Sequence, residues 1–510
     1  MHIYLTLHVW DIIIIAIIII LYLLFNDFSR DNCTCNYTAD SDSQTILVDE
    51  LLKEEDFMSK ISKTEYVALR KKGEKYMTLP IHDTILTEML RTSGKELNSF
   101  LNQPLKKIQD WQLKRISCLV DYAFENIPLY RKKYSAIGYK KGGIKTWDDF
   151  FKLPFLHKEE LIEGFPSEIV KEVDDFVLST RSSGSSGKFV TIAVSEEAIY
   201  KDTLQTIRQF NMQSGGKYKP EDTILYIYTC PWWVDSINGR YKQDYLPTTT
   251  KVEEAVKHIR QTRPRYISTY PTYLEKIAST GIKLSDCGVE LVIVHSEQSN
   301  EKQRKMLAEE LDVEVLDEYS SEELTRIALE CPMHHYHLEE DACFIEIIDE
   351  YGNKLPDGKT GIVVGTNLLN TATPIIRYIQ GDLAKITPSQ ECECGNNGRI
   401  IEGVKGRNMD SIITPDGEYI PASCFMDLAY NWFLVYEIPV HGLKYQFVQP
   451  EVKRLELYIV EGEYSLDLEA IKESIYSLIP RSMEINVHKV DNLLYDKGLK
   501  YRPVISLVRR

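Results

Sequence analysis

Two stretches of this chain combine residue types that do chemistry. The first is Ser182-Ser183-Gly184-Ser185-Ser186-Gly187-Lys188, set between two β-rich segments. Its glycines permit positive φ and close backbone approach, its hydroxyls offer donors, and Lys188 adds charge, all suited to holding a polyphosphate. A flexible Ser/Gly linker has the same composition. It is not a Walker loop, which needs four residues between the glycines and a Ser or Thr after the Lys. The second pairs Cys331 and His337, in ALECPMHHYHL, with Cys392 and Cys394, in QECECGNNG. A Cys₃His set suits tetrahedral Zn²⁺, although a Cys-x-Cys pair with a distant Cys-x₅-His is not the spacing of a standard finger. His334 and His335 are spare candidates, and buried thiols beside a surface histidine cluster give the same letters.

The elements that must position these residues follow from periodicity. In DWQLKRISCLVDYAFENIPLYRKKY, Trp111, Ile116, Leu119 and Tyr122 recur at three-to-four spacing before Pro128, which predicts a helical lead-in. From about residue 178, short β-branched runs (TILYIYT, VELVIVHS, ACFIEIID, TGIVVGTN) alternate with charged helical stretches such as EKQRKMLAEEL. That is the pattern of an α/β fold, a layered sheet with covering helices. The last hundred or so residues begin at GRNMDSIITPDGEYIP and carry LELYIV, DLEAIKESIYSLI and INVHKV, the pattern of a separate small α+β domain.

Composition narrows the function class. The 510 residues contain 60 Lys and Arg against 76 Asp and Glu, a net charge of −16, and 43% are apolar. Enough apolar residues for a core in each of about three domains exclude disorder. An acidic chain without long basic runs has no electrostatic footprint for duplex nucleic acid. The ten cysteines are too thinly spread for a disulfide-stapled scaffold.

The N-terminus departs from this soluble picture. Ile12 to Phe25 reads IIIIAIIIILYLLF, fourteen residues without a charge. At 1.5 Å per residue they make about 21 Å of helix, so spanning a hydrocarbon core of about 30 Å requires Ile3 to Trp10 as well and exposes Asp11 to lipid. A membrane anchor over 1–28 is the expectation, with a start misassigned ahead of Met58 or a buried segment as alternatives. A cleaved signal peptide would need a basic residue before the apolar run and a small-x-small site after it. Between Asp31 and Asp56 eight carboxylates face Lys53 alone, so 29–60 reads as a solvated acidic tether.

Seven motifs stand in order along the chain: SSGSSGK (182–188), STYPTYLEKIA (268–278), VHSEQSNEKQR (294–304), DEYSSEELTRIALEC (317–331), RYIQGDLAKI (377–386), GRNMDSI (406–412) and GLKYRPVIS (498–506). In content, order and spacing they resemble the adenylate-forming superfamily, in its branch of phenylacetate–CoA ligases, coenzyme F390 synthetases and CapK-type capsular polysaccharide proteins. The resemblance runs from about Trp111 to the C-terminus. It implies an AMP-binding N-terminal domain over 61–406, with layered β-sheets and helices, and a small mobile α+β lid over 407–510.

The resemblance also assigns roles. Ser183, Gly184, Ser185, Ser186, Gly187 and Lys188 would hold the β- and γ-phosphates of ATP, in a loop that is Ser-rich here and Thr-rich in the family. Tyr319 would stack on adenine, the family's following glycine being replaced by Ser320. Glu323, favoured over Glu322 by its distance to Ile327-Ala328, would ligate Mg²⁺, a hard cation that prefers oxygen ligands. Asp382 would accept the ribose hydroxyls, Arg407 would lie near ribose and α-phosphate, and Asp410 would be the pivot between domains. Ser296 and Glu297 would line the nucleotide and acyl pocket, although a strand end before a helix cap gives the same letters. Lys500 would be the catalytic lysine. A leucine separates it from Gly498, and Lys497 competes. Some members of the branch carry a structural zinc on an arrangement like Cys331, His337, Cys392 and Cys394. The implied reaction is ATP-dependent activation of a carboxylic acid, aryl or arylacetic, to an acyl adenylate with release of pyrophosphate, then transfer to coenzyme A. Trp232, Trp233, Tyr270 and Tyr273 could line an aryl pocket, and core packing explains them equally well. The alternatives are AMP transfer to a phenolic hydroxyl, a role in capsule assembly, or a non-catalytic membrane-tethered nucleotide-binding protein. A catalytic part that uses ATP and CoA is expected in the cytoplasm, free or tethered to the cytoplasmic face of a membrane.

Overall fold

The computed structural model describes residues 87, 99–171, 178–181, 190–229, 231–232, 234–387, 392–396, 398–404, 411–420, 422–439, 442–460, 464–493 and 501–508. The expected anchor and tether, the loop 182–188, Trp233, Arg407, Asp410, Lys497 and Lys500 lie outside them. Among the described residues no helix is long and apolar enough to cross a membrane.

The helical lead-in is α1 (Leu105–Asn126), α2 (Pro128–Ala136), α3 (Trp147–Phe151) and α4 (Lys158–Gly164). Helix α1 buries Ile108, Ile116, Leu119, Val120 and Ala123, a stripe at three-to-four spacing. Trp111 and Tyr122 sit half-buried at its margins rather than in the stripe. Pro128 takes the first position of α2, where its missing N–H costs nothing. A hairpin of β1 (Leu178–Arg181) and β2 (Thr191–Val194) follows, then the long helix α5 (Glu196–Gln213).

Next come β3 (Thr223–Tyr228), β4 (Lys242–Pro247), α6 (Val252–Thr262), β5 (Tyr266–Thr269), α7 (Pro271–Ala278), β6 (Leu291–His295), α8 (Glu301–Leu311) and β7 (Glu314–Ser321). These strands pair in parallel. Every residue of β5 and β6 is buried, as expected where helices cover both faces of a parallel sheet. On one face Ile224, Leu291 and Leu316 meet Phe210 of α5. On the other Leu225, Ile267, Val292 and Val315 meet α6, α7 and α8.

After β7 the connections shorten and the pairing turns antiparallel. The strands are β8 (Thr325–Glu330), β9 (Tyr336–Leu338), β10 (Cys343–Ile348), β11 (Gly361–Asn367), β12 (Tyr378–Thr387) and β13 (Ile400–Glu402). Together the described strands make one sheet of eleven, ordered β10-β11-β12-β13-β9-β8-β7-β6-β5-β3-β4. The lead-in packs on its antiparallel half, where Leu119, Val120 and Phe150 meet Phe344, Val363 and Ile376. Arg377 ties the two together: its guanidinium forks onto Glu346 at 2.8 and 3.0 Å and donates to the Phe151 carbonyl at 2.6 Å.

The C-terminal part holds a hairpin of β14 (Ile412–Ile413) and β15 (Tyr419–Ile420), α9 (Ala422–Val435), β16 (Lys444–Glu451), β17 (Arg454–Val460), α10 (Leu468–Ile475), β18 (Glu484–Lys489) and β19 (Val504–Ser506). The sheet order is β18-β17-β16-β19, with α9 and α10 joined by the Trp432 indole N–H on Ser474 at 2.9 Å. Helix α9 docks on the large sheet's helices. Asn300 donates to Asp427 at 2.8 Å, Lys302 to Asn431 at 2.6 Å, and Glu275 accepts from Gln303 at 2.7 Å and Tyr430 at 3.4 Å.

Candidate active site and metal cluster

Two residues singled out in the sequence, Tyr319 and Asp382, meet where β7 nears its turn into β8, and a third, Glu323, lies in that turn. The Tyr319 hydroxyl donates to Asp382 Oδ2 at 2.6 Å across 63 positions of chain. Asp382 stands on β12 directly after Gly381, whose φ is +87° and whose absent Cβ would meet nothing. Glycine is required there for backbone conformation, not for space. Glu323, in the turn after β7, is buried; its Oε1 accepts from the Tyr378 hydroxyl at 3.1 Å, and its carbonyl accepts from Asn367 at 3.0 Å. Ser321 adds a bond to Gln380 at 3.4 Å. The β7–β8 turn is thus fastened to β12, and one carboxylate from each side sits beside a phenol.

Ser296 and Glu297 lie one strand over. Register pairs His295 with Glu318, so Ser296, just past the end of β6, lies beside Tyr319 of β7. Ser296 has a φ of +67°, a strained setting for a residue with a Cβ. Its hydroxyl contacts His295 Nδ1 at 2.9 Å and the Tyr228 hydroxyl at 3.4 Å. Glu297 accepts from the N–H and hydroxyl of Thr272 at 3.2 and 2.7 Å, placing a carboxylate on the first turn of α7, where the helix dipole favours it.

Between α5 and this edge of the sheet is a small cavity, open on one side, with Gln209, Gln243, Ser268, His295, Glu318 and Arg326 in its wall. Trp232 lines it too, 5.0 Å from the Arg326 guanidinium. Tyr273 instead belongs to the core beneath α7, and Tyr270 packs between that core and Tyr228. Burial pushes the Glu318 carboxyl up, but Arg326 and His295 beside it, with a hydrogen bond from Gln209, hold it below the usual carboxylate range. Sequence reasoning missed these polar residues. Glu318 and His295 sit inside recognised motifs, yet only strand alternation would have turned them away from Tyr319 and Ser296.

The Cys/His candidates also meet. Cys331 follows β8, His335 and His337 flank Tyr336 of β9, and Cys392 and Cys394 lie between β12 and β13. The donor atoms of Cys331, His335, His337 and Cys392 lie within 4.8 Å of one another. Cys331 Sγ is 3.8 Å from Cys392 Sγ, His335 Nδ1 is 3.4 Å from Cys392 Sγ, and His337 Nε2 is 3.3 Å from Cys394 Sγ. His335 therefore joins the four expected ligands. Zinc bonds of about 2.3 Å to sulfur and 2.0 Å to nitrogen imply ligand separations of roughly 3.3–3.8 Å in a tetrahedron, so the donor set fits that ion. Hydrogen bonding with Cys394 pulls the Cys331 thiol well down and pushes the Cys394 thiol up, so one thiolate of the pair is favoured, as a metal ligand requires. Glu330 links the cluster to the site: it pairs with Arg304 at 2.9 Å, meets His334 at 3.0 Å and accepts from the Asp317 N–H at 2.7 Å, two residues before Tyr319.

No protein-family model matches the chain. It is 24% identical over 412 residues to a phenylacetate–coenzyme A ligase of Pseudomonas putida, covering 77% of this chain and 92% of that one. A phenylacetate–coenzyme A ligase of Thermus thermophilus is 26% identical over 334 residues, 62% of this chain and 74% of the relative. Among solved structures, a 2-hydroxyisobutyryl-CoA ligase in its postadenylation state superimposes with a TM-score of 0.67 at 18% identity, over 80% of this chain and 91% of that one. An open conformation of the same ligase gives 0.56 over 79% and 92%. Sequence relatives and fold agree: the chain is similar to phenylacetate–coenzyme A ligases and shares its fold with a 2-hydroxyisobutyryl-CoA ligase.

Proposed function

We propose that the chain is an AMP-forming acid–coenzyme A ligase. The observation that carries this reading is the Tyr319–Asp382 hydrogen bond near the carboxyl end of β7, beside the crevice where open α/β sheets bind their ligands, with the buried Glu323 carboxylate in the turn after β7. Asp382 accepts from the ribose, Tyr319 lies under adenine, Ser183 to Lys188 hold the β- and γ-phosphates, and Arg407 faces the α-phosphate. Ser296 and Glu297 shape the floor between nucleotide and acid. Glu323 would hold Mg²⁺, which supplies positive charge to the phosphate oxygens.

In the first step a carboxylate oxygen of the acid attacks the α-phosphorus. The α–β bridge breaks, and pyrophosphate leaves with the bonding pair. Negative charge builds on both reacting groups, and the Lys500 ammonium would offset it. In the second step the sulfur of coenzyme A attacks the acyl carbon, AMP leaves, and the thiol proton passes to solvent. Cys331, Cys392 and His337, with His335 or Cys394 as the fourth ligand, would hold a structural Zn²⁺ that clips the β8–β9 turn to the segment between β12 and β13. A reaction that draws on ATP and CoA places the catalytic part on the cytosolic side, whether or not residues 3–25 enter a membrane.

The test is acid-dependent exchange of pyrophosphate into ATP under Mg²⁺, with product mass distinguishing a thioester from an adenylylated phenol. Lys500→Ala should abolish exchange yet leave thioester formation from supplied acyl adenylate, and Lys497→Ala should leave both intact. Exchange that survives Lys500→Ala, or that no acid elicits, overturns the reading.

A further inference from the structure

The layer between α5 and the sheet changes character along the strands. Low in the strands it is apolar, with Ile224, Tyr266, Leu291, Ile293 and Leu316 packed on Phe210. At the carboxyl ends the same face presents Ser268, His295 and Glu318, and α5 answers with Gln209. A helix–sheet interface needs no polar residues there, and burying them costs free energy unless they are hydrogen-bonded. The switch occurs beside Ser296 and Tyr319, the chain neighbours of His295 and Glu318, so the cavity and the nucleotide edge share their walls.

The hydrogen bonds show what the cavity offers. Arg326 donates from Nε to Gln209 Oε1 at 2.8 Å and from Nη2 to Thr206 at 2.6 Å, while Nη1 pairs with Asp202. All three nitrogens are turned to α5, so Arg326 acts as a positioning residue rather than an anion receptor. Holding Oε1 of Gln209 fixes which way that amide points, and its Nε2 then donates to Glu318 Oε2 at 2.6 Å. Glu318 is thereby held in place as an ionised acceptor at the wall of the cavity.

We propose that the acid activated here carries a hydroxyl or amino group that donates a hydrogen bond to Glu318 in this cavity. The inference rests on the ligase reading and names its substrate class. An unsubstituted aryl or alkyl acid offers Glu318, Gln243 and Ser268 no hydrogen bond, and sites built to bond a polar substituent reject the analogue that lacks it by large factors.

The experiment measures ATP/pyrophosphate exchange by the full chain with two matched sets: phenylacetate, 4-hydroxyphenylacetate and 4-aminophenylacetate, and butyrate, 4-hydroxybutyrate and 4-aminobutyrate. A hydroxy or amino member should exceed its unsubstituted parent by at least about 100-fold in kcat/KM. The arm that wins separates a hydroxyl from an amine. Glu318→Gln should cut that preference to less than about 10-fold, and Gln243→Leu, on the half-buried strand β4, should weaken the polar substrate in a variant whose fold is not at risk. Exchange driven equally well by phenylacetate or butyrate overturns the inference and leaves the ligase reading standing. Exchange with none of the six acids overturns both.

Discussion

If Asp382 reads the ribose, the enzyme must distinguish ATP from its deoxy analogues by an amount the geometry sets. The carboxylate is 7% exposed, and its bond from Tyr319 at 2.6 Å has the length of a charge-assisted O–H···O⁻ contact. A hydroxyl bonded to a carboxylate in such a setting is worth about 1.5–3 kcal/mol. Deleting one ribose hydroxyl should therefore lower kcat/KM for the nucleotide by about 10- to 150-fold, with RT near 0.6 kcal/mol. Asp382→Asn keeps the shape but makes the acceptor neutral, worth about 1 kcal/mol, so the gap should contract to about 5-fold. The assay is pyrophosphate exchange with ATP, 2′-deoxy-ATP and 3′-deoxy-ATP, at saturating acid, in wild type, Asp382→Asn and Tyr319→Phe. Tyr319→Phe retains the ring for stacking and frees an oxygen of Asp382, so its discrimination should be undiminished. Equal discrimination in wild type and Asp382→Asn would refute the reasoning. Asp382 would then serve Tyr319 alone, and its loss would be felt in the melting temperature rather than in nucleotide selectivity.

Other predictions follow from neighbouring groups. Zinc should be present at about one ion per chain, and His337→Ala should lose it while His335→Ala weakens binding by about 10- to 100-fold, because His337 is fully buried and His335 exposed; metal analysis after dialysis decides. Burial lifts Glu275, where α7, α8 and α9 meet, from the ordinary value to about 7. An acid raised in the folded state binds a proton there that the unfolded chain has released, so stability is greatest below about pH 4.5 and falls as pH rises to 7, by about 2–3 kcal/mol in all. Melting curves between pH 5 and 7.5 should show this contribution in wild type and lose it in Glu275→Gln. Arg377→Met leaves Glu346 buried and uncompensated, a loss of about 3–5 kcal/mol that should lower the melting temperature by roughly 5–10 °C. The double replacement Arg377→Met with Glu346→Leu should recover most of it.

What was legible in the sequence was what is local or ordered. Parallel strands announce themselves as unbroken apolar runs such as LVIVH, and the helix α1 stripe could be placed to within a residue of its margins. Tyr319 and Asp382, singled out by motif order alone, share a hydrogen bond in the fold, although identity to the relatives is only about a quarter. The joining of a parallel and an antiparallel half into one sheet was not legible, since local patterns do not say which edges meet. His335 could have been promoted from spare to ligand on strand geometry alone: it stands two residues before His337, and alternation turns both to one face. The polar cavity is the harder case. Gln209 lies 117 positions from Arg326 and 109 from Glu318, and its function depends on both, because one fixes the amide that the other receives. Seen as letters, an Arg and a Gln on a helix-facing strand and a helix are ordinary surface residues. Buried together, with all three Arg326 nitrogens turned inward, they can only orient an acceptor. For that reason selectivity for the acid is to be sought in Gln209 and Arg326 as much as in Glu318, and replacement of Gln209 by Glu, which can no longer donate, should disturb acid preference while leaving the ATP/deoxy-ATP ratio untouched.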